Sequence, residues 1–357
     1  MSSNPLKKQA SNAISVPCIT WLGICTLMGL SWITGAGCVQ QHANQVVVFC
    51  ALDRAFSENQ LADFTKSTKI EVQPKFDTES TKTVGLANQI IEQADRGVCD
   101  VFWNNEILHT LRLKRAGLLV PFELEDAGHF PAEFRCPEGH WYGLAARARV
   151  LIVNTDLLPD PDQYPTSILD LADPKWQGRG CLAKPLFGTT ATHFAVLYQY
   201  LGPEKFSSFV EQLQANQVGL LSGNRQVAAD VAAGKYAFGW TDTDDYQVEK
   251  LDGSPVAMVF PDQAADQLGC LLLPNTIAII KGGRNPAQAQ ALVKHVLSGP
   301  VESALAQSPS AQFPLDRRVS VRSALLPEDN VRWMKVDWEQ TVVAWDASSP
   351  ILQKIFY

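Results

Sequence analysis

The chain has 357 residues, 46% of them apolar, 9% aromatic and 19% charged, which is enough apolar side chain to bury a core and excludes wholesale disorder. With 30 Lys and Arg against 37 Asp and Glu the formal charge is −7, and no dense basic stripe supplies the electrostatic footprint of a nucleic-acid binder. Eight cysteines are too few for a disulfide scaffold, and no G-x-S-x-G, G-x-x-x-x-G-K-[ST], G-x-G-x-x-G or H-E-x-x-H motif occurs.

The first forty residues differ in character from the rest. Lys7 and Lys8 are the only charges before Asp53; an apolar stretch runs from Ala13 to Trp32, and Gly35-Ala36-Gly37 follow. A basic start, an apolar run and then small residues describe a secretory signal. The next residue, Cys38, resembles the lipid-modified cysteine of bacterial lipoproteins, although Gly35 stands where their motif prefers Leu. The expectation is a leader over residues 1–37 and a tether over 38–45 that begins at a lipidated Cys38. An uncleaved anchor is the alternative, because about 20 apolar residues also span a bilayer. Either way the domain is held in the periplasm or at the outer face of the cytoplasmic membrane. Cys50, Cys99, Cys136, Cys181 and Cys270 remain, an odd number, and isolated thiols inside apolar runs read as core.

Beyond the tether, strands and helices alternate. The continuous apolar run Val46–Leu52 predicts a strand covered on both faces, and Phe56, Leu61 and Phe64 are spaced for one face of a helix. Ile70–Val72 is a short strand, Val84–Ile91 a helix, Val98–Trp103 a strand, and Glu106–Ala116 a helix stopped by Gly117. A second set follows, with strands at Val150–Val153 and Gly180–Ala183 and helices at Gly188–Tyr200 and Pro203–Leu213. Then come a helix over Asn224–Ala233, strands at Tyr236–Trp240, Leu271–Pro274 and Thr276–Ile280, and a helix over Ala287–Leu297. This alternation predicts two α/β lobes built on mostly parallel sheets, with a ligand at the carboxyl ends of the strands.

The polar residues cluster at that address. Asp53 and Arg54 follow the first strand, and Asn104, Asn105 and Glu106 follow the third. Gly188-Thr189-Thr190 and Ser222-Gly223-Asn224 open helices whose free N–H groups suit an anion. Asp242, Asp244 and Asp245 crowd the end of the strand at Trp240, and Arg147 and Arg149 precede the one at Val150. Thr189 and Asn224 equally read as helix caps, Arg147 and Arg149 as partners of surface acids, and Trp103 and Trp240 as either cleft wall or core. A further polar cluster spans Asp77–Lys82, and Cys136 with His140 at C-x3-H spacing reads as incidental.

Four segments carry a resemblance: Cys99-Asp100-Val101-Phe102-Trp103, Arg147-Ala148-Arg149-Val150, Pro174-Lys175-Trp176, and Asn224 through Asp245. In these, and from about Val46 to the C-terminal region, the chain resembles the bacterial solute-binding proteins of ABC importers, in particular the group that includes periplasmic ferric-iron-binding proteins. The resemblance implies the type II periplasmic-binding-protein fold, two doubly wound α/β lobes with a hinge and an interlobe cleft. Lobe 1 would take residues 46–148 with 275–357 and lobe 2 residues 149–274. That group's two adjacent tyrosine ligands fall on Asp244 and Asp245, its histidine on Asp53, and its glutamate on Asn105, with Glu106 next door. Its anion-binding arginine falls on Arg147, its helix-start serine and glycine near Gly188, Thr189 and Thr190, and its asparagine on Asn224. The implied metal ligands are therefore Asp53, Asp244 and Asp245.

Carboxylates are ordinary ligands for hard cations and equally hold an ammonium group. The expected function is thus capture of a metal ion such as iron, with a synergistic anion, for an ABC permease and ATPase. The alternative is a zwitterionic or phosphorylated solute such as an aminophosphonate, a thiamine-type compound or a sugar phosphate. A metal-dependent hydrolase ranks lower, since His109, His129, His140 and His193 are scattered. The protein is expected to be a monomer, not an enzyme, with no cofactor besides the transported ion.

Overall fold

The structure, a computed structural model, describes residues 44–77 and 84–357; the expected leader, Cys38, most of the tether and residues 78–82 of the polar cluster lie outside the described residues. The chain begins with alternating strands and helices: β1 (Gln45–Cys50), α1 (Arg54–Thr68), β2 (Glu71–Phe76), α2 (Val84–Glu92), β3 (Val101–Asn104) and α3 (Leu108–Arg115). The apolar run of β1 lies between its two parallel neighbours, with Val46 opposite Val72 and Val48 opposite Val101. After the short β4 (Leu119–Val120) comes β5 (Tyr142–Asn154), thirteen residues that are all buried.

The second set comprises β6 (Gly180–Ala183), α4 (Gly188–Ala215), β7 (Gly219–Leu221), α5 (Asn224–Ala232), β8 (Phe238–Asp242), α6 (Thr243–Leu251) and β9 (Val256–Val259). The return strand β10 (Leu272–Ile280) precedes α7 (Pro286–Val296), α8 (Gly299–Gln307) and α9 (Trp338–Phe356). The two helices expected between Gly188 and Leu213 are one element kinked at Gly202, whose φ of 73 only glycine adopts readily, with Pro203 opening the second half. No helix among the described residues is long and apolar enough to cross a membrane.

The strands run in the order β2-β1-β3-β10-β5-β8-β6-β7, with β4 on β10 and β9 on β5. Pairs β1–β2, β1–β3, β6–β7 and β6–β8 are parallel, as expected; every pairing made by β5 and β10 is antiparallel. These two long strands link the two parallel groups. β5 pairs with β10 from Tyr142 to Ala148 and with β8 from Arg149 to Val153, and the β10 register shifts between Leu273 and Asn275. The carboxyl ends of β1 and β3 on one side, and of β6, β7 and β8 on the other, open toward one cleft, because residues following each of them line it.

Candidate functional site

The cleft is lined by Asp53 after β1, Asn105 after β3, Arg147 within β5, Lys184 after β6, the starts of α4 and α5, and Asp242, Asp244 and Asp245. Its enclosed volume is about 30 Å³, enough for one or two waters. Four aspartates thus face two cations, Arg147 and Lys184. Carboxylate oxygens of Asp242, Asp244 and Asp245 lie within 4.8 Å of one another. This spacing makes them a candidate multidentate oxygen donor set for a hard cation.

Local chain geometry produces this convergence. Asp242 ends β8, and Asp244 and Asp245 occupy the first turn of α6, where the helix N-terminus stabilises negative charge. Asp53 is the N-cap of α1, but its side chain makes no capping hydrogen bond. Gly188, at the start of α4, has φ 54; a Cβ there would meet nothing within 4 Å, so its conformation rather than space calls for glycine.

Two buried arginines on alternate positions of β5 hold the acids in place. Arg147 donates from Nε to Asp244 Oδ2 at 3.1 Å, from Nη2 to Asn275 Oδ1 at 2.6 Å, and from Nη1 to the Asn105 carbonyl. Burial works against its charge, but Asp244, Asp242, Asp53 and Asp245 outweigh that and hold its pKa above the ordinary arginine value. Arg149 donates to Asp242 Oδ1 at 2.7 Å and to Thr189 and Thr190 at 3.2 Å each, with its guanidinium 4.9 Å from the Trp240 ring centroid. Thr189 donates to Asp242 Oδ2 at 2.6 Å, and Asn224 donates to Thr189 at 2.7 Å and to Asp242 at 3.1 Å. Arg147, expected on the anion side of the site, and Arg149, with surface acids as the alternative partners of both, form buried ion pairs with Asp244 and Asp242 of the cleft.

Of the residues predicted for the site, Asp53, Asn105, Arg147, Gly188, Thr189, Asn224, Asp244 and Asp245 all line this one cleft. Glu106 does not. It is wholly buried and accepts hydrogen bonds from Asn104 Nδ2 at 2.7 Å, Thr192 Oγ1 at 2.7 Å, and the N–H groups of Leu108 and His109. It therefore holds the start of α3, and burial, only partly offset by those donors, raises its pKa. Thr190 is also buried, linking Arg149 to Asn224 Oδ1 from behind the cleft wall. Trp103 and Trp240 are core, fully buried and absent from the lining, with Trp240 packed edge-on to His193 at 4.3 Å. Asp242 and Lys184 line the cleft as well; neither is named as a ligand from the sequence, although both occupy the same strand-end address that marks the rest.

The family profile described as "Bacterial extracellular solute-binding protein" matches residues 109–340. The chain is 27% identical over 218 residues to the "Fe(3+)-binding periplasmic protein" of Serratia marcescens, covering 61% of this chain and 62% of that one. It thus spans about three fifths of that relative. It is 25% identical over 270 residues to "Iron uptake protein A1" of Synechocystis sp., covering 72% of each. Its fold is similar to that of iron-bound HitA from Pseudomonas aeruginosa, with TM-score 0.78, 24% identity, and 88% of this chain and 99% of that chain covered. AfuA from Actinobacillus pleuropneumoniae, a structure with fructose-6-phosphate bound, gives TM-score 0.75 at 21% identity over 87% of this chain and 97% of that chain.

Proposed function

The chain belongs to the bacterial extracellular solute-binding proteins, and on that basis we propose that it captures a ferric ion, with a small synergistic anion, in the cleft and delivers it to an ABC permease and its ATPase. The observation that carries this reading is the convergence of Asp242, Asp244 and Asp245, their oxygens within 4.8 Å of one another, in a cleft that Asp53 also lines. Carboxylate oxygens are hard donors and suit a small, highly charged ion. The relatives named as an Fe(3+)-binding periplasmic protein and an iron uptake protein support iron as that ion. The free N–H groups at the starts of α4 and α5, with Lys184, offer the anion its place. The relatives named for iron, rather than for a phosphorylated organic solute, favour the metal ion as the cargo.

In this reading residues 46–148 with 275–357 and residues 149–274 act as two lobes, joined through β5 and β10. The ion draws ligands from both sides, Asp53 from one and the aspartates of β8 and α6 from the other. Binding then shifts the population toward the closed arrangement that the permease reads, and no bond of the cargo is made or broken. The protein works as a monomer outside the cytoplasm, tethered through its N-terminal segment at Cys38.

A thermal-shift titration with ferric citrate tests the proposal. Ferric ion at a hundred times its dissociation constant adds about 2.7 kcal/mol of stability. Asp244→Ala combined with Asp245→Ala removes that gain while the protein still melts cooperatively. An unchanged gain in the double variant, or stabilisation by fructose 6-phosphate and not by ferric ion, refutes it.

A further inference from the structure

Outside the cleft, Cys136–His140 forms a tight turn between Arg135 and Tyr142, which pair across it as an antiparallel bridge. The Gly139 N–H donates to the Cys136 carbonyl at 3.0 Å with Pro137 in between, and Gly139 adopts φ 74. The turn is fixed from several directions. Cys136 N–H donates to the Trp141 carbonyl at 3.0 Å, Phe122 N–H to the Gly139 carbonyl at 2.9 Å, and Tyr142 Oη to the Phe122 carbonyl at 2.7 Å. A side chain on Gly139 would come within 2.7 Å of the Phe122 carbonyl oxygen, so the turn admits only glycine there.

Three side chains of different chemistry meet on this frame. The Cys136 thiol donates to Glu138 Oε2 at 2.9 Å and lies 3.8 Å from His140 Nδ1. One ligand atom from each of the three lies within 4.8 Å of the others; among the described residues, the other group of this kind is the acidic one in the cleft. Cys50, Cys99, Cys181 and Cys270 belong to neither group and are sealed in the core.

From this convergence we propose that Cys136, Glu138 and His140 form a second metal site, for a thiophilic divalent ion such as Zn²⁺, distinct from the cleft. A soft thiolate, an imidazole and one carboxylate match a borderline ion that takes four ligands, and they leave the fourth position to water or an outside ligand. Mg²⁺ and Ca²⁺, which require oxygen throughout, are disfavoured. Because backbone hydrogen bonds already gather the ligands, little conformational freedom is lost on binding. The thiol gives its proton to solvent as the metal–sulfur bond forms. Glu138 exchanges its contact with Lys114 Nζ at 3.5 Å for the ion, while Lys114 keeps Glu339 at 2.6 Å.

The test is a titration of the reduced full chain with Co²⁺, whose bond to a thiolate gives a charge-transfer band in the near ultraviolet. The band should saturate at one ion per chain, be bleached by Zn²⁺, and vanish in Cys136→Ser. His140→Ala and Glu138→Gln should weaken binding on the order of tenfold or more, at least the loss that follows removal of an outer-shell partner. The Asp244→Ala, Asp245→Ala double variant should keep the band, which separates this site from the cleft. No band in the unaltered chain, or a band that survives Cys136→Ser, overturns the proposal. Should Cys136→Ser fail to fold, His140→Ala and Glu138→Gln decide on their own, since both side chains lie toward the surface; unchanged affinity in the two overturns it equally.

Discussion

Arg147 sits at the centre of the cleft's charge balance, with Asp244 bonded to it directly and Asp242, Asp53 and Asp245 acting on it through space. The pair is nearly sealed from water, so removing one partner leaves the other desolvated and uncompensated. Arg147→Met is expected to cost roughly 3–5 kcal/mol in urea unfolding, far more than loss of the exposed Arg54–Glu58 pair. His109, buried in α3, gives a pH signature. Its Nδ1 lies 2.8 Å from Arg112 Nη1, an arrangement in which a neutral imidazole accepts, and burial, followed by Arg112, pushes its pKa down to about 3. Unfolded, the imidazole titrates near 6.5, so between those values the unfolded chain holds the extra proton and stability drops as the pH is lowered. Relative to His109→Gln, the native protein should lose roughly 1.4 kcal/mol per pH unit below pH 6.5 and stay level above it. A difference that does not vary with pH across that range contradicts a neutral His109.

At the scale of elements, the site is a meeting of helix starts with strand ends. α4, α5 and α6 all begin at the cleft, and the start of α4 is set by the left-handed Gly188. Gly188→Ala should therefore cost about 1–2 kcal/mol in thermal or urea unfolding although its methyl group would touch nothing. A neutral result would show that the turn relaxes without the left-handed conformation. The strand-end address explains why much of the site was legible in the sequence: polar clusters after short apolar runs locate the carboxyl edge of a sheet without any knowledge of packing. Side-chain direction was not legible, which is why Glu106 was placed in the cleft beside Asn105 when the chain turns it inward to cap α3. β5 was only half read, since Arg147 and Arg149 interrupt its apolar pattern and are compensated by residues distant in sequence. The C-terminal helix α9 was not anticipated. Asp337 as its N-cap and Trp338, Val342, Trp345 and Leu352 on one face were present as signals, but Pro350 argues against a helix locally. Packing on α4 and links such as Lys114–Glu339 and Arg115–Asp346 override that preference.

For the whole molecule, Asp242, Asp244 and Asp245 bring hard, anionic oxygen atoms together at the edge of one sheet. β5 and β10 tie the two parallel strand groups together, so an ion held by residues from both sides is coupled to the packing of the entire sheet. Arg147 and the helix N-terminus of α6 stabilise the acids, and under the proposed function a bound ion has to improve on that arrangement. The most direct test is anomalous diffraction at the iron absorption edge from crystals grown with ferric citrate. The account predicts one strong peak at bonding distance from carboxylate oxygens of at least two of Asp242, Asp244 and Asp245. A peak remote from all three, or an ordered cleft with no anomalous signal at saturating iron, would contradict it.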